Sequence, residues 1–422
     1  MANRFSGLFN LSEEQAIEIL DSEAANSDEA SNRYIAASHL VNFDSESAVA
    51  ALIRAVERTE SDLDNRIVRR KAVESLGRLQ ATEALSVIAA CLADEDNYLV
   101  ENAAWAIAEI GTEDADILER LSTQLDRPNQ SYRTLIHALA SLGYEPAADR
   151  IAQFLDSDSA PIASAAQSAM YQLKGDESGL KKVLGYLQSP NVNARRGSIQ
   201  DLSDAGYYKA IPNIAQCPVS MVFRLRAIRS LAQGAIAQNK TSFTQVRPIL
   251  EKVLRDHPKD VALVHRYDQV PSLEDLIQEL YGTDFGRCYL AARSILETYA
   301  DTAAGALRAD YEAKGYNDYG AHYHIMRLFG WLQETAAFEV LIKALHNKAP
   351  QFQKSRVAAA IALGELGNPD AIPELKKALS VPIWDLQYSA ILALVKLGET
   401  DIVSNFSEGE PDWLIQEKLA TL

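Results

Sequence analysis

An all-α solenoid of stacked helix pairs is the fold class that the sequence predicts, and three observations predict it. The first is the stretch from Asp94 to Gly111, DEDNYLVENAAWAIAEIG. Asp94, Asp96 and Asn97 offer side chains that cap a helix start. Leu99, Ala103, Ala106, Ile107 and Ile110 recur at helical spacing. Gly111 suits the left-handed backbone that ends a helix. Ala103, Ala104 and Ala106 leave room for a neighbouring helix to come close, with Trp105 as the one large interruption. The second observation is that this pattern repeats. Aligned copies end at Gln80, Gly111, Gly143, Lys174, Gly206 and Ala235, then at Gln333, Gly367 and Gly398. The third is that shorter amphipathic segments, EALSVIAACLAD, AADRIAQFLDSD and AIPELKKALS, lie between the copies. A period of about thirty residues with two helices per unit is the mark of a helical solenoid. The expected form is a HEAT-like α/α solenoid, a curved superhelix with a concave groove.

In chain order, residues 1–30 read as an N-terminal cap: a leader helix and an acidic, Ser- and Asn-rich loop, SEAANSDEAS. SNRYIAASHLVNF opens a first, degenerate repeat, and HEAT-like repeats occupy 31–240. Residues 241–320 break the rhythm, with Pro258, Pro271 and Gly282 as punctuation, and read as modified repeats with long loops. Residues 300–320 are expected to be one of those loops. Long connections within a compact domain are disproportionately functional. HEAT-like repeats resume over 321–400, and 401–422 form a C-terminal cap.

Composition narrows the function classes. The 422 residues are 47% hydrophobic, enough for a continuous core. There is no apolar run of about 18 residues, so no membrane insertion is expected. The N-terminus lacks a basic segment followed by an apolar one, so no signal peptide is expected. Three scattered cysteines, Cys91, Cys217 and Cys288, argue against a disulfide framework and for a reducing, cytoplasmic setting. The net charge of −17 makes nucleic acid a poor partner.

The position before the final Ala-Leu pair of each copy is the least constrained by neighbouring repeats. Down the chain it holds Glu74, Trp105, His137, Ser168, Gln200, Arg229, Arg293 and Arg327. Flanking positions add Arg70, Glu101, Asn102, Arg133, Arg196, Arg226, Tyr323 and His324. This column is expected to line the groove. It is polar, aromatic and increasingly cationic, suited to a partly aromatic ligand that carries carboxylates. A solvated polar groove with no ligand gives the same pattern.

No Gly-rich phosphate loop, HExxH, CxxC or GxSxG is present. His322 and His324 stand two apart on a helix, so they point to different faces; one is expected to face the groove and one to pack, and no metal site is expected. Cys91 reads as a small core residue, whereas Cys288, after GTDFGR, is a candidate exposed thiol. Asp268, Asp284, Asp318 and Tyr319, in irregular segments beside Gly and Asn, are the suggestive loop residues. Aspartate also caps helices.

ENAAWAIAEIG, DNRIVRRKAVESLGRLQ, RRGSIQDL, CPVSMVFRLRAIR, YDQVPSLEDLIQELYGTDFGRCYLA and DYGAHYHIMRLFGWL together resemble the E/F-type phycobilin lyases of cyanobacteria. More narrowly they resemble the long single-chain members associated with phycoerythrin. The resemblance runs from RYIAASHLVNF to the final repeats. Its specific blocks, 191–229, 265–293 and 316–332, are not repeat consensus, which argues against a generic HEAT adaptor. It implies a protein that binds an open-chain tetrapyrrole, here phycoerythrobilin as substrate with no prosthetic group. It implies attachment of that bilin by a thioether to a cysteine of a phycobiliprotein subunit, with the phycoerythrin α-subunit as the expected partner. Some members also isomerise phycoerythrobilin to phycourobilin, so a lyase-isomerase stays open, as does a non-catalytic bilin carrier or subunit chaperone.

On this resemblance the acceptor supplies the thiol, and the lyase polarises the bilin by proton donation. That role is expected of Asp318 with Tyr319, and less directly of Asp268 and Glu101. Arg133, Arg196, Arg229 and Arg327 are expected to pair with the propionates, and Trp105, Tyr323 and His137 to stack on the rings, with His324 beside them.

Overall fold

The computed structural model describes residues 11–22, 27–59, 62–404, 406 and 412–422. Among them every regular element is a helix. The parts of the two expected caps at 1–10, 23–26, 405 and 407–411 lie outside the described residues. Contacts gather into two compact units, Met1–Val183 and Leu184–Leu422.

In the first unit the leader helix Glu13–Asp21 starts on a capping box, Ser12 accepting from the Gln15 N–H while Gln15 accepts from that of Ser12. The next helix, Ser27–His39, begins before the first repeat expected at 31. Helices Leu63–Arg78 and Asn97–Ile110 then pack side by side. Asp62 and Asp96 cap them, accepting from the Asn65 and Tyr98 N–H groups. The small-residue face does what its composition implies. A Cβ placed on Gly77 would come within 2.8 Å of Ala106.

The same contact recurs in the second unit, where Gly330 meets Ala362 and Gly364 meets Ala393, each at 2.8 Å or less. These pairs join helices Tyr319–Trp331, Gln353–Leu366 and Trp384–Lys396 in succession. Glycine and alanine let backbones approach closely enough for dense packing.

Helix ends fall where the repeat alignment puts them, with two shifts. Positive φ occurs at Gln80, Gly111, Gly143, Gly206, Gln333, Gly367 and Gly398, as aligned, but at Gly175 rather than Lys174 and at Asn239 rather than Ala235. Glycine and asparagine tolerate that backbone better than lysine or alanine. Where glutamine takes the position, its side chain compensates. Gln80 Nε2 donates to the Glu109 carbonyl at 3.2 Å, and Gln333 Nε2 to that of Glu365 at 3.1 Å, one repeat on in each case.

A second device runs through both units. A long polar side chain in a repeat helix donates to a carbonyl at the end of the preceding short helix, as Arg33 does to Leu20, Arg69 to Val56 and Gln167 to Leu155. Arg224 binds Ala215, Arg356 binds Leu345 and Gln387 binds Leu379 in the same way. Orphan carbonyls at helix C-termini need such donors. Arg33, Arg69, Arg224 and Arg356 therefore have a structural use.

Residues 300–320 are not a loop. Ala300–Ala313 is a helix that buries Ala303 and Leu307 at i,i+4, and only 314–318 connect it to the next. The rest of the modified region holds helices Phe243–Arg255, Leu273–Glu279 and Phe285–Thr298, with an irregular connection over 261–271. No described helix is long and apolar enough to cross a membrane.

Candidate functional site

The sequence-predicted residues divide between the units. Glu101, Trp105, Arg133 and His137 belong to the first. Glu101 accepts a hydrogen bond from Thr134 Oγ1 at 3.0 Å, and Arg133 donates to the Pro161 carbonyl at 2.8 Å. Trp105 is half-buried, its Cζ3 close to Gly77, and His137 is half-buried one turn after Arg133. Nearby, Arg70 forms a two-toothed ion pair with Asp96 at 2.7 and 2.8 Å and lies over the Tyr98 ring.

The other eight lie in the second unit, and here the structure corrects the expectation of an open lining. Tyr323, His324 and Arg327 are interior residues, each 2% exposed or less. Arg327 donates to the Leu254 carbonyl at 2.7 Å and stacks over Tyr323. Arg229 is half-buried, paired with Asp412 and lying over Trp384. The reason is local: Tyr319–Trp331 is enclosed by its neighbours, so nearly all its side chains are covered whatever their polarity. Ser168 in the same column is buried too, while Gln200 and Arg293 are exposed.

What organises this interior is an aspartate that the sequence did not single out. Asp256 ends helix Phe243–Arg255 at φ 50, and its carboxylate is fully covered. It pairs with Arg224 and accepts from Tyr289 Oη at 2.8 and 3.0 Å and from Tyr323 Oη. A buried charge needs such pairing and hydrogen bonding. Burial and the neighbouring carboxylate push both phenols above their ordinary range. Buried between Phe285, Tyr289 and Tyr323, His324 is held well below its ordinary value, first by desolvation and then by Lys354.

Towards the surface lie Asp318, Tyr319 and Lys354, beside the buried Phe285 ring. Asp318 caps Tyr319–Trp331, its Oδ1 accepting from Gly320 N at 2.9 Å and Ala321 N at 2.8 Å. Its Oδ2 has no hydrogen bond among the described residues. Tyr319 is 53% exposed. Lys354 Nζ stands 4.5, 5.1 and 5.4 Å from the ring centroids of Phe285, Tyr319 and Tyr323. Desolvation lowers it to about 8. Arg196 donates to the Thr283 carbonyl at 3.2 Å and lies over Phe223. Asp268 is exposed on the 261–271 connection, with no hydrogen bond or ion pair among the described residues.

Other candidates resolve into packing. Asp284 caps Phe285–Thr298, pairs with Arg195 and meets His265 Nε2 at 3.0 Å. Cys288 is buried, not exposed; its thiol faces three carbonyls, and burial pushes it up to about 12. His322 and His324 both pack, the former against Tyr311 and Phe352, so neither faces open solvent. Among the described residues no group of three or more His, Cys, Asp or Glu is arranged to hold a metal.

Lys354 was missed because it looks like an ordinary surface charge. The signal was present. Asp62, Asp96, Asn191, Asp284 and Asp318 cap other helices, whereas Gln353–Leu366 starts after Phe352 with a lysine in its first turn and no acid there.

Comparison with known proteins gives this geometry its context. A family model for HEAT repeats matches residues 62–135 and 338–417. The chain is 54% identical over 421 residues to the uncharacterized phycocyanin operon protein Y of Pseudanabaena tenuis, covering 99% of each chain. It is 32% identical over 414 residues to the bilin biosynthesis protein CpeY of a Synechococcus species, covering 94% of this chain and 98% of that one. The chain belongs to the HEAT-repeat phycobilin lyase family. A solved structure of the CpcE–CpcF complex of phycocyanin lyase from a Nostoc species agrees. Its match has 28% identity and a TM-score of 0.51, covering 58% of this chain and 95% of that one. For a member of this family, the unit 2 surface around Asp318, Tyr319 and Lys354 is the candidate site that combines an exposed phenol, an available carboxylate oxygen and a caged cation.

Proposed function

We propose that this chain binds phycoerythrobilin and joins it through a thioether bond to a cysteine of a phycoerythrin α-subunit. Family membership makes it an enzyme of bilin attachment to phycobiliproteins. The observation that carries the reading is the likeness to the bilin biosynthesis protein CpeY, which runs over 98% of that protein rather than over its repeats alone.

The reaction is an addition. The acceptor cysteine's sulfur bonds to the exocyclic carbon of the ring A ethylidene, the double bond is consumed, and the adjacent ring carbon gains a hydrogen. The thiol gives up one proton and the tetrapyrrole takes one, so no oxidant, leaving group or prosthetic group is required. The chain's own three cysteines are buried, and desolvation raises them to about 11 or 12, away from thiolate character. An acceptor thiol as nucleophile fits that inventory. Asp318, through its free Oδ2, and Tyr319 are the groups assigned to hydrogen-bond and protonate the bilin. Glu101 and Asp268 have weaker claims, the first already bonded to Thr134 and the second on an open loop.

The test is co-expression with phycoerythrobilin and a phycoerythrin α-subunit, read as absorbance of the acid-denatured subunit. A covalent adduct at the phycoerythrobilin band is the expected result. A blue-shifted adduct at the phycourobilin band makes the protein a lyase-isomerase. Because a relative is named for a phycocyanin operon, phycocyanin subunits with phycocyanobilin are run in parallel. An adduct only there overturns the phycoerythrin assignment. Bilin held by this chain with no adduct on any subunit makes it a carrier.

A further inference from the structure

We propose that Lys354 is the carboxylate-binding residue of the unit 2 site, taking a propionate of a linear tetrapyrrole, an inference that rests on the bilin reading above. Three features of the structure favour an anion there. The ammonium is set among the Phe285, Tyr319 and Tyr323 rings and has no ion pair or hydrogen bond among the described residues. Ring faces attract a cation, but they replace only part of the lost hydration. Lys354 also stands in the first turn of the Gln353–Leu366 helix, where the helix dipole disfavours a cation, and no acidic residue or side-chain cap offsets it there.

The third feature is His324. Its Nε2 is buried without a hydrogen-bond partner, and its ring packs on two of the cage rings, Phe285 and Tyr323. Lys354 Nζ, and His324 Nε2 in the tautomer that carries its N–H there, are donors without a protein partner among the described residues beside one aromatic cage, and a ligand with acceptor atoms beside a flat conjugated body suits them. A linear tetrapyrrole with its propionates has that composition. The charged and titratable groups that face Lys354 are Asp318, Asp256, Cys288, His324, Arg196 and the phenols of Tyr319 and Tyr323. Asp318 caps its helix through Oδ1 and Asp256 is bonded to Arg224, Tyr289 and Tyr323, and neither forms an ion pair with Lys354 among the described residues.

A bound carboxylate stabilises the protonated lysine, so binding at pH 8 takes up about half a proton. The affinity is therefore expected to fall as pH rises through about 8, where the unliganded ammonium is lost. Arginine at this position keeps its charge and removes that fall.

The experiment titrates the full chain with biliverdin and with biliverdin dimethyl ester, by absorbance, for wild type, Lys354→Met and Lys354→Arg. The expected result is a wild-type preference for the diacid of roughly tenfold or more, as for a charge-assisted contact. Lys354→Met brings the diacid to the level of the ester and leaves the ester unchanged, and Lys354→Arg keeps the preference without its decline above pH 8. Equal wild-type affinity for acid and ester, or equal weakening of both by Lys354→Met, overturns the assignment. If wild type binds neither bilin, the bilin reading itself falls. Pyrenebutyrate, an aromatic carboxylate, is then titrated against the same variants. Binding that Lys354→Met abolishes retains the carboxylate site, and no binding overturns it.

Discussion

Tyr323 donates its phenol hydrogen to Asp256, 67 positions earlier in the chain, at the centre of a buried network that also holds Arg224 and Tyr289. The carboxylate is the one anion shared by three donors. Asp256→Asn is expected to destabilise the protein by about 3–5 kcal/mol, because it leaves the Arg224 guanidinium buried beside a neutral amide. Asparagine tolerates the φ of 50 that Asp256 adopts, so backbone strain does not confuse the comparison. Urea unfolding monitored by circular dichroism checks this, and a midpoint within error of wild type would show that the network contributes nothing.

The repeat architecture was legible because its determinants are local. A cap, an apolar stripe and a left-handed terminator recur at Asp96, Ile107 and Gly111, and again at Asn191, Ile199 and Gly206. The site was only partly legible. Asp318 and Tyr319 showed as irregular residues near glycine, and both are at the surface of the second unit. Tyr323 and Arg327 carry the same polar letters as solvated residues, yet their environment is set by Asp256 and Leu254 from a distant helix, a relation that no sequence period encodes. Arg195 and Arg196 show the same ambiguity side by side. One is buried on Asp284 and the other is half-exposed over Phe223.

His322 predicts a pH dependence. Burial lowers it from 6.5 to about 4, so the unfolded chain takes up a proton that the folded chain resists. Its contribution to stability is full above pH 6.5 and is lost as pH falls through that value toward 4, at up to about 1.4 kcal/mol per pH unit. His322→Phe, which keeps an aromatic ring beside Tyr311 and Phe352, is expected to flatten the slope of unfolding free energy between pH 6.5 and 5. A residual slope remains, because His324 is lowered in the same sense. An unchanged slope in the variant would remove His322 from the explanation.

The close helix contacts predict opposite signs for one substitution. Gly364→Ala places a methyl within 2.8 Å of Ala393, and Gly330→Ala does so against Ala362. Both contacts are with backbone as well as side chain, so the helices must separate, at about 1–3 kcal/mol. Gly185→Ala, in a helix with nothing within 4 Å of the new Cβ, is expected to gain up to about 1 kcal/mol. Thermal unfolding of the three variants gives the comparison, and a Gly364→Ala protein as stable as Gly185→Ala would contradict the packing described.

Asp318 has two separable duties, and substitution at this one position distinguishes them. As the cap of Tyr319–Trp331 it accepts two backbone N–H groups through Oδ1, a task that asparagine performs nearly as well. As the proposed proton donor to the bilin it needs a carboxyl group, which asparagine lacks. Asp318→Asn is therefore expected to keep the unfolding midpoint and the bilin affinity close to wild type while lowering the rate of adduct formation by 10²-fold or more, the usual scale of general acid catalysis. Asp318→Ala loses the cap as well and is expected to be less stable by about 1 kcal/mol. The measurement is single-turnover attachment to the acceptor subunit, followed at the adduct band with bilin binding titrated separately. A normal attachment rate in Asp318→Asn reduces Asp318 to a structural cap and moves the proton-transfer role to Tyr319.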